Sequence, residues 1–152
     1  MMLKLVLDTS VIVEYVVLRS KYRSKVARLF NLASTGKIEL FINPITLSET
    51  FYIVSRIYRV AGLPNPNAEA LNYIEWVKRR TKVVGINEDI AIKAGELRKS
   101  LRLALPDCYV IAVAKSIGAI PTFKTIEKEM KPVMDELRKL GIKFLDEIHL
   151  IS

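Results

Sequence analysis

Short unbroken apolar runs alternate along this chain with longer stretches whose apolar residues recur at helical spacing. Leu3 to Leu7 is the first short run and reads as a strand buried on both faces, ending at Asp8. From Ser10 to about Leu18 the pattern predicts a helix, and a second helix is expected over Lys21 to Ala33 with Val26, Leu29 and Phe30 inward. Gly36 stops it, and Ile38 to Ile42 reads as a second strand. Asn43-Pro44 is a helix start, because Asn caps and Pro suits the first helical position; that helix runs to about Val60. Beyond Gly62, Pro64 and Pro66, a helix capped by Asn67 reaches Lys78. Lys82 to Ile86 is a third strand, and Asn87 caps a helix carrying Ile90, Ala94 and Leu97. Pro106 opens another, which stops at Gly118. Ala119 to Thr122 is a weak strand, a charged helix spans Ile126 to Leu140, and Lys143 to Leu145 forms a last strand.

Strands separated by long helical patterns pair in parallel through right-handed crossovers. The predicted fold class is therefore α/β: a central parallel sheet of about four to five short strands with helices on both faces, in a single domain over residues 1–152. No repeat or linker-like stretch divides the chain.

Composition narrows the chemistry. At 51% hydrophobic residues the chain can fill a core. The apolar N-terminal stretch is broken by Asp8 and Glu14 and lacks a secretory cleavage pattern, so no membrane association is expected. A lone Cys108 fits a reducing compartment, and the expected localisation is cytoplasmic. The formal charge of +8 favours polyanionic partners. Cations gather at Arg19, Lys21, Arg23, Lys25 and Arg28, at Lys78 to Lys82, and at Lys93 to Arg102. Each cluster also reads as a solvated helix face; the first, flanked by Tyr15 and Tyr22, is the candidate RNA-binding patch.

In parallel α/β sheets ligands collect beyond the carboxyl ends of the strands, which singles out Asp8. Asp8 can equally cap the next helix, Thr46 to Glu49 can form a capping box, and Asp107 suits the dipole of the helix that follows it. Brought together by the fold, Asp8, Glu49 and Asp107 would repel unless a cation joined them. All-oxygen donors suit Mg²⁺ or Mn²⁺. With one histidine, His149, and one thiol, the chain lacks the parts for a zinc cluster, a histidine nuclease or a Ser-His-Asp hydrolase.

The segments Leu5-Val6-Leu7-Asp8-Thr9-Ser10-Val11, Ser48-Glu49, and Asp107-Cys108-Tyr109-Val110-Ile111-Ala112 followed by Gly118-Ala119 and Thr122 resemble the motifs of the PIN-domain family. Among short members the VapC-type toxins of toxin–antitoxin pairs are the nearest likeness. The resemblance implies an endoribonuclease dependent on Mg²⁺ or Mn²⁺, hydrolysing RNA phosphodiester bonds to a 5′-phosphate and a 3′-hydroxyl. It also implies a homodimer silenced by a small antitoxin protein. Asp8, Glu49 and Asp107 match the family's acidic positions, Ser10 its small polar helper, and Thr122 the threonine before a fourth acidic position.

There the pattern departs, because Lys124 stands where an Asp is expected and Pro121 removes a strand donor. Lys124 should lower metal affinity. Glu127 or Glu129 can supply the missing carboxylate, although both also read as solvated helix acids. Two alternatives follow: a catalytically impaired PIN-like module that binds RNA or an antitoxin, and a receiver-like phosphoacceptor domain suggested by Asp8, Thr122 and Lys124. The latter lacks an adjacent acidic pair near the first strand.

Overall fold

The first strand, β1 (Leu3–Leu7), is the centre of a sheet in which every neighbouring pair runs parallel. The structure is a computed structural model and describes residues 1–150; Ile151 and Ser152, the last positions of the expected domain, lie outside the described residues. On one side of β1 lies β2 (Ile38–Ile42) and then β3 (Lys82–Val83); on the other lie β4 (Ile120–Phe123) and β5 (Lys143–Phe144). The order is β3-β2-β1-β4-β5. It differs from the 2-1-3-4-5 order of receiver-type sheets, which removes the phosphoacceptor reading.

Strand alternation divides the apolar side chains into two cores, because successive residues point to opposite faces. Leu5, Leu7, Leu40 and Ile42 pack with α2 (Arg23–Ser34), α3 (Pro44–Val60) and α4 (Pro66–Lys78). Val6, Phe123 and Phe144 pack on the opposite face with α5 (Glu88–Leu101), α6 (Leu105–Ile117) and α7 (Met134–Lys139). The expected sheet with helices on both faces is thus present. Among the described residues no helix is long and apolar enough to cross a membrane.

Several boundaries differ from expectation, each for a local reason. The helix expected from Ser10 to Leu18 is only α1 (Thr9–Ile12) and a 3-10 turn over Val13–Tyr15. Tyr73 Oη donates to the Ile12 carbonyl at 2.6 Å, and Val16 N turns back to Val13, so the α-helical ladder ends there. Helix α4 begins at Pro66 rather than behind Asn67, since proline is already placed for the first turn. Strand β3 is two residues long, not five. The charged helix expected over Ile126 to Leu140 is divided by Pro132, which cannot donate: a 3-10 segment covers Lys128–Val133 and α7 follows. Ile126 and Glu127 lie outside helical structure altogether.

Pro121 is accommodated within β4. Thr122 O accepts from Asp8 N at 2.9 Å, so Thr122 faces β1, and the alternation turns the missing Pro121 donor toward β5. Among the described residues β5 pairs only with Thr122 and Phe123, so the missing Pro121 donor costs no ladder bond there.

Candidate active site

Asp8 follows the last residue of β1 and caps α1, its Oδ2 accepting from Ser10 N at 3.0 Å. The capping role and a place in the acidic cluster coexist in one side chain. Asp107 enters from α6, in whose first turn it stands, with Pro106 beside it. Carboxylate oxygens of Asp8, Asp107 and Glu127 all lie within 4.8 Å of one another. Glu127, expected on a helix either as a substitute carboxylate or as a solvated acid, is not helical. Its extended backbone instead precedes the 3-10 segment, which is fastened by the buried Met130, and its side chain joins the cluster.

Glu49 enters from α3. Its capping-box role is not used, because Asn43 caps that helix, its Oδ1 accepting from Ile45 N and Thr46 N at 2.8 and 3.1 Å. Glu49 Oε1 instead accepts from Thr9 Oγ1 at 3.0 Å. It is close enough to Asp8, Asp107 and Glu127 for their charges to act on one another, although it lies outside the tight three-oxygen group.

Electrostatics follow from burial and crowding. Desolvation raises the pKa of Asp8 against the hydrogen bonds to Ser10 and Thr9. Burial first, then repulsion from Asp8 and Glu127, a hydrogen bond shared with the Glu127 carboxyl, and repulsion from Glu49 push Asp107 up to about 8 despite the favourable helix terminus. Glu49 and Glu127 are raised as well, each mainly by desolvation. Carboxyls whose pKa values are all raised by burial and crowding, with no nitrogen or sulfur donor among them, fit a hard divalent cation. Among the described residues no Lys or Arg forms an ion pair with Asp8, Asp107, Glu49 or Glu127.

Lys124, beyond β4, is turned to another task. Its backbone N–H donates to Ser10 Oγ at 3.1 Å, while its ammonium lies 3.6 Å from Glu14 Oε1. The same Glu14 oxygen accepts from Ser20 Oγ at 2.8 Å. Thr122 is fully buried and donates to the Ile120 carbonyl at 3.0 Å, so it supports the strand end and offers no free hydroxyl.

The basic patch is mixed. Arg19 and Lys21 are exposed and Lys25 half-buried. Arg23 is occupied: its Nε donates to the Tyr15 carbonyl at 2.8 Å and its guanidinium packs on the Tyr15 ring. Tyr15 itself stacks on Trp76 at 4.7 Å, and Tyr22 is buried, so both tyrosines belong to the packing rather than to a base-stacking platform. Reasoning from sequence missed Thr9 and Glu14. Thr9 lies directly after Asp8, which was the available signal; nothing in the pattern pairs Glu14 with Lys124.

Comparison with known proteins bears on the fold and the family. The PIN domain family model matches residues 5–131. Comparison with curated protein sequences gives no match. A DNA-bound VapBC structure from Salmonella typhimurium superposes with a TM-score of 0.65 at 21% identity, covering 94% of this chain and 97% of that one. VapBC-1 from nontypeable Haemophilus influenzae gives 0.62 at 19% identity, covering 95% and 100%. Mycobacterium tuberculosis VapC20, described as a sarcin-ricin loop cleaving toxin, gives 0.60 at 13% identity, covering 85% and 95%. At these identities the solved structures speak to the fold, while the family model matches most of the sequence. The chain belongs to the PIN-domain family.

Proposed function

We propose that this protein is an endoribonuclease dependent on Mg²⁺ or Mn²⁺, acting as the toxin of a toxin–antitoxin pair. The observation that carries the reading is the meeting of Asp8 and Asp107 oxygens within 4.8 Å at the carboxyl end of a parallel sheet, with Glu49 joined to the same corner through Thr9. Asp8, Glu49 and Asp107 would hold the cation. Bound there, it supplies Lewis acidity toward a phosphodiester and lowers the pKa of water.

The protein's own residues prepare this. The Ser10 amide fixes Asp8, and the Thr9 hydroxyl holds one oxygen of Glu49. Asp107 is fixed by its place in the first turn of α6. Asp8 and Asp107 are buried and Glu49 and Glu127 half-buried, which strengthens charge interactions among them relative to open water. Arg19, Lys21 and Lys25 stand on the segment that follows Glu14 and offer positive charge to an RNA backbone.

The partners belong to the same reading. Assemblies whose toxin chains share this fold are named VapBC complexes, which supports a small antitoxin as partner. Exposed Leu18, Tyr52 and Val60 support self-association into a homodimer. The test is cleavage of single-stranded RNA by wild type and Asp8→Asn across a Mg²⁺ and Mn²⁺ series. Metal-dependent cleavage abolished by Asp8→Asn is expected. Cleavage that survives the substitution removes the reading, and RNA binding without cleavage by wild type selects the impaired binding module instead.

A further inference from the structure

The PIN motif leads one to expect an acidic residue at position 124, and this chain has a lysine there. We infer that Glu127 completes the cation site in place of position 124, and that Lys124 is withdrawn into a structural pair with Glu14. The inference rests on the metal-nuclease reading and specifies its ligand set.

Three observations carry it. The first is distance: Glu127 offers an oxygen within 4.8 Å of both Asp8 and Asp107, a span one small cation can bridge. Second, the route of the chain is fixed on both sides of the departure. The backbone of Lys124 is held by its N–H to Ser10 Oγ and by its carbonyl, which accepts from Leu145 N at 3.3 Å. Three residues later, Glu127 O accepts from Met130 N at 3.0 Å, and Met130 is fully buried in the second core. The intervening bend therefore returns the chain to the site at position 127.

The third observation is the disposition of the cation. An ammonium left beside three carboxylates would pair with one of them, and Lys124 does not; it pairs with Glu14, whose side chain is only 12% exposed. Substitution at 124 thus leaves the acidic corner without an internal counter-ion, and its negative charge is restored from 127. Neighbouring Glu129 is exposed and absent from the three-oxygen group.

The experiment uses the full chain and Mn²⁺ alone, with affinity read by calorimetry or by the loss of the free-ion paramagnetic signal. Asp8→Asn should weaken Mn²⁺ binding, and Glu127→Gln should weaken it by roughly 10- to 100-fold, at least the loss seen when a ligand's outer partner is removed. Glu129→Gln, with the same change in charge, should leave it unchanged. In chelator the Glu127 carboxyl shares a hydrogen bond with Asp107, which glutamine can keep, so the Glu127→Gln protein should melt close to wild type. A much lower metal-free melting point would mean that the loss of Mn²⁺ affinity in this variant reflects a damaged fold, and overturns the inference. So does unchanged Mn²⁺ affinity in Glu127→Gln while Asp8→Asn is impaired. Recovery of affinity when Lys124→Asp is added to Glu127→Gln would show that the two positions are interchangeable sources of one carboxylate, and supports the inference. If Asp8→Asn also binds Mn²⁺ normally, the metal-nuclease reading itself fails.

Discussion

The Thr9 hydroxyl donates to the Glu49 carboxylate at 3.0 Å, joining the residue after Asp8 to the second turn of a helix forty positions away. Glu49 is thereby held toward the carboxyl end of β1 by a neighbour of the residue it assists. Thr9→Val keeps shape and removes the donor. We expect RNA cleavage and metal affinity to fall by roughly 10- to 100-fold, as for the loss of a ligand's outer hydrogen bond. Stability should change by no more than about 1 kcal/mol. Cleavage titrated with Mn²⁺, alongside thermal melting, checks both.

Acidity gives a second expectation, for the metal-free protein. Asp107 is raised to about 8, and Asp8, Glu49 and Glu127 are raised in the same direction. In the unfolded chain such groups ionise near pH 4. Between about pH 4 and pH 8 the folded state therefore holds more protons than the unfolded state, and stability falls as pH rises across that window. A divalent cation displaces those protons, so the rise in melting temperature on adding Mg²⁺ should widen with pH. Melting curves in chelator and in Mg²⁺ at matched pH values measure it. A metal-free stability that climbs across the window contradicts the shared-proton corner.

The Lys124 and Glu14 pair should behave as a structural contact. Lys124 is about one-third exposed, so its contribution is screened; a double-mutant cycle with Lys124→Ala and Glu14→Gln should give a coupling of about 0.5–1 kcal/mol. High salt should reduce it. A coupling near zero would show that the pair does not hold the segment.

Self-association makes a fourth expectation. Leu18 and Val60 are largely exposed beside a groove of about 540 Å³ lined by Val17, Leu18, Ile57, Tyr58 and Leu63. Light scattering at micromolar concentration should find a dimer, and Val60→Lys should shift it toward monomer. A wild type that remains monomeric under those conditions removes the dimer.

Particular residues show what could be read before the fold was known. Asn43 and Asn87 signalled their helices because their side chains cap them directly, and Gly118 ends α6 in the left-handed conformation that favours glycine. The central strands were equally legible as buried runs. Where expectation failed, the deciding contact was distant in sequence. Tyr73 ends α1 from another helix, and Glu127 is drawn into the corner by packing of Met130. The pairing of Lys124 with Glu14 spans most of the chain. Asp8 and Asp107 were placed by local pattern; Glu127 was legible as a substitute carboxylate beside Glu129, but its non-helical backbone was not, because the charged run hid the interruption at Pro132.

The two outermost strands, β3 and β5, are each two residues long. Edge strands this short offer another molecule only a two-residue ladder of their own at each margin, which limits edge-to-edge growth there. Copies of this protein that meet in solution are expected to do so mainly through helices and side chains. A chain with a mostly apolar parallel sheet is thereby guarded against fibril templating at the margins where such sheets are most vulnerable.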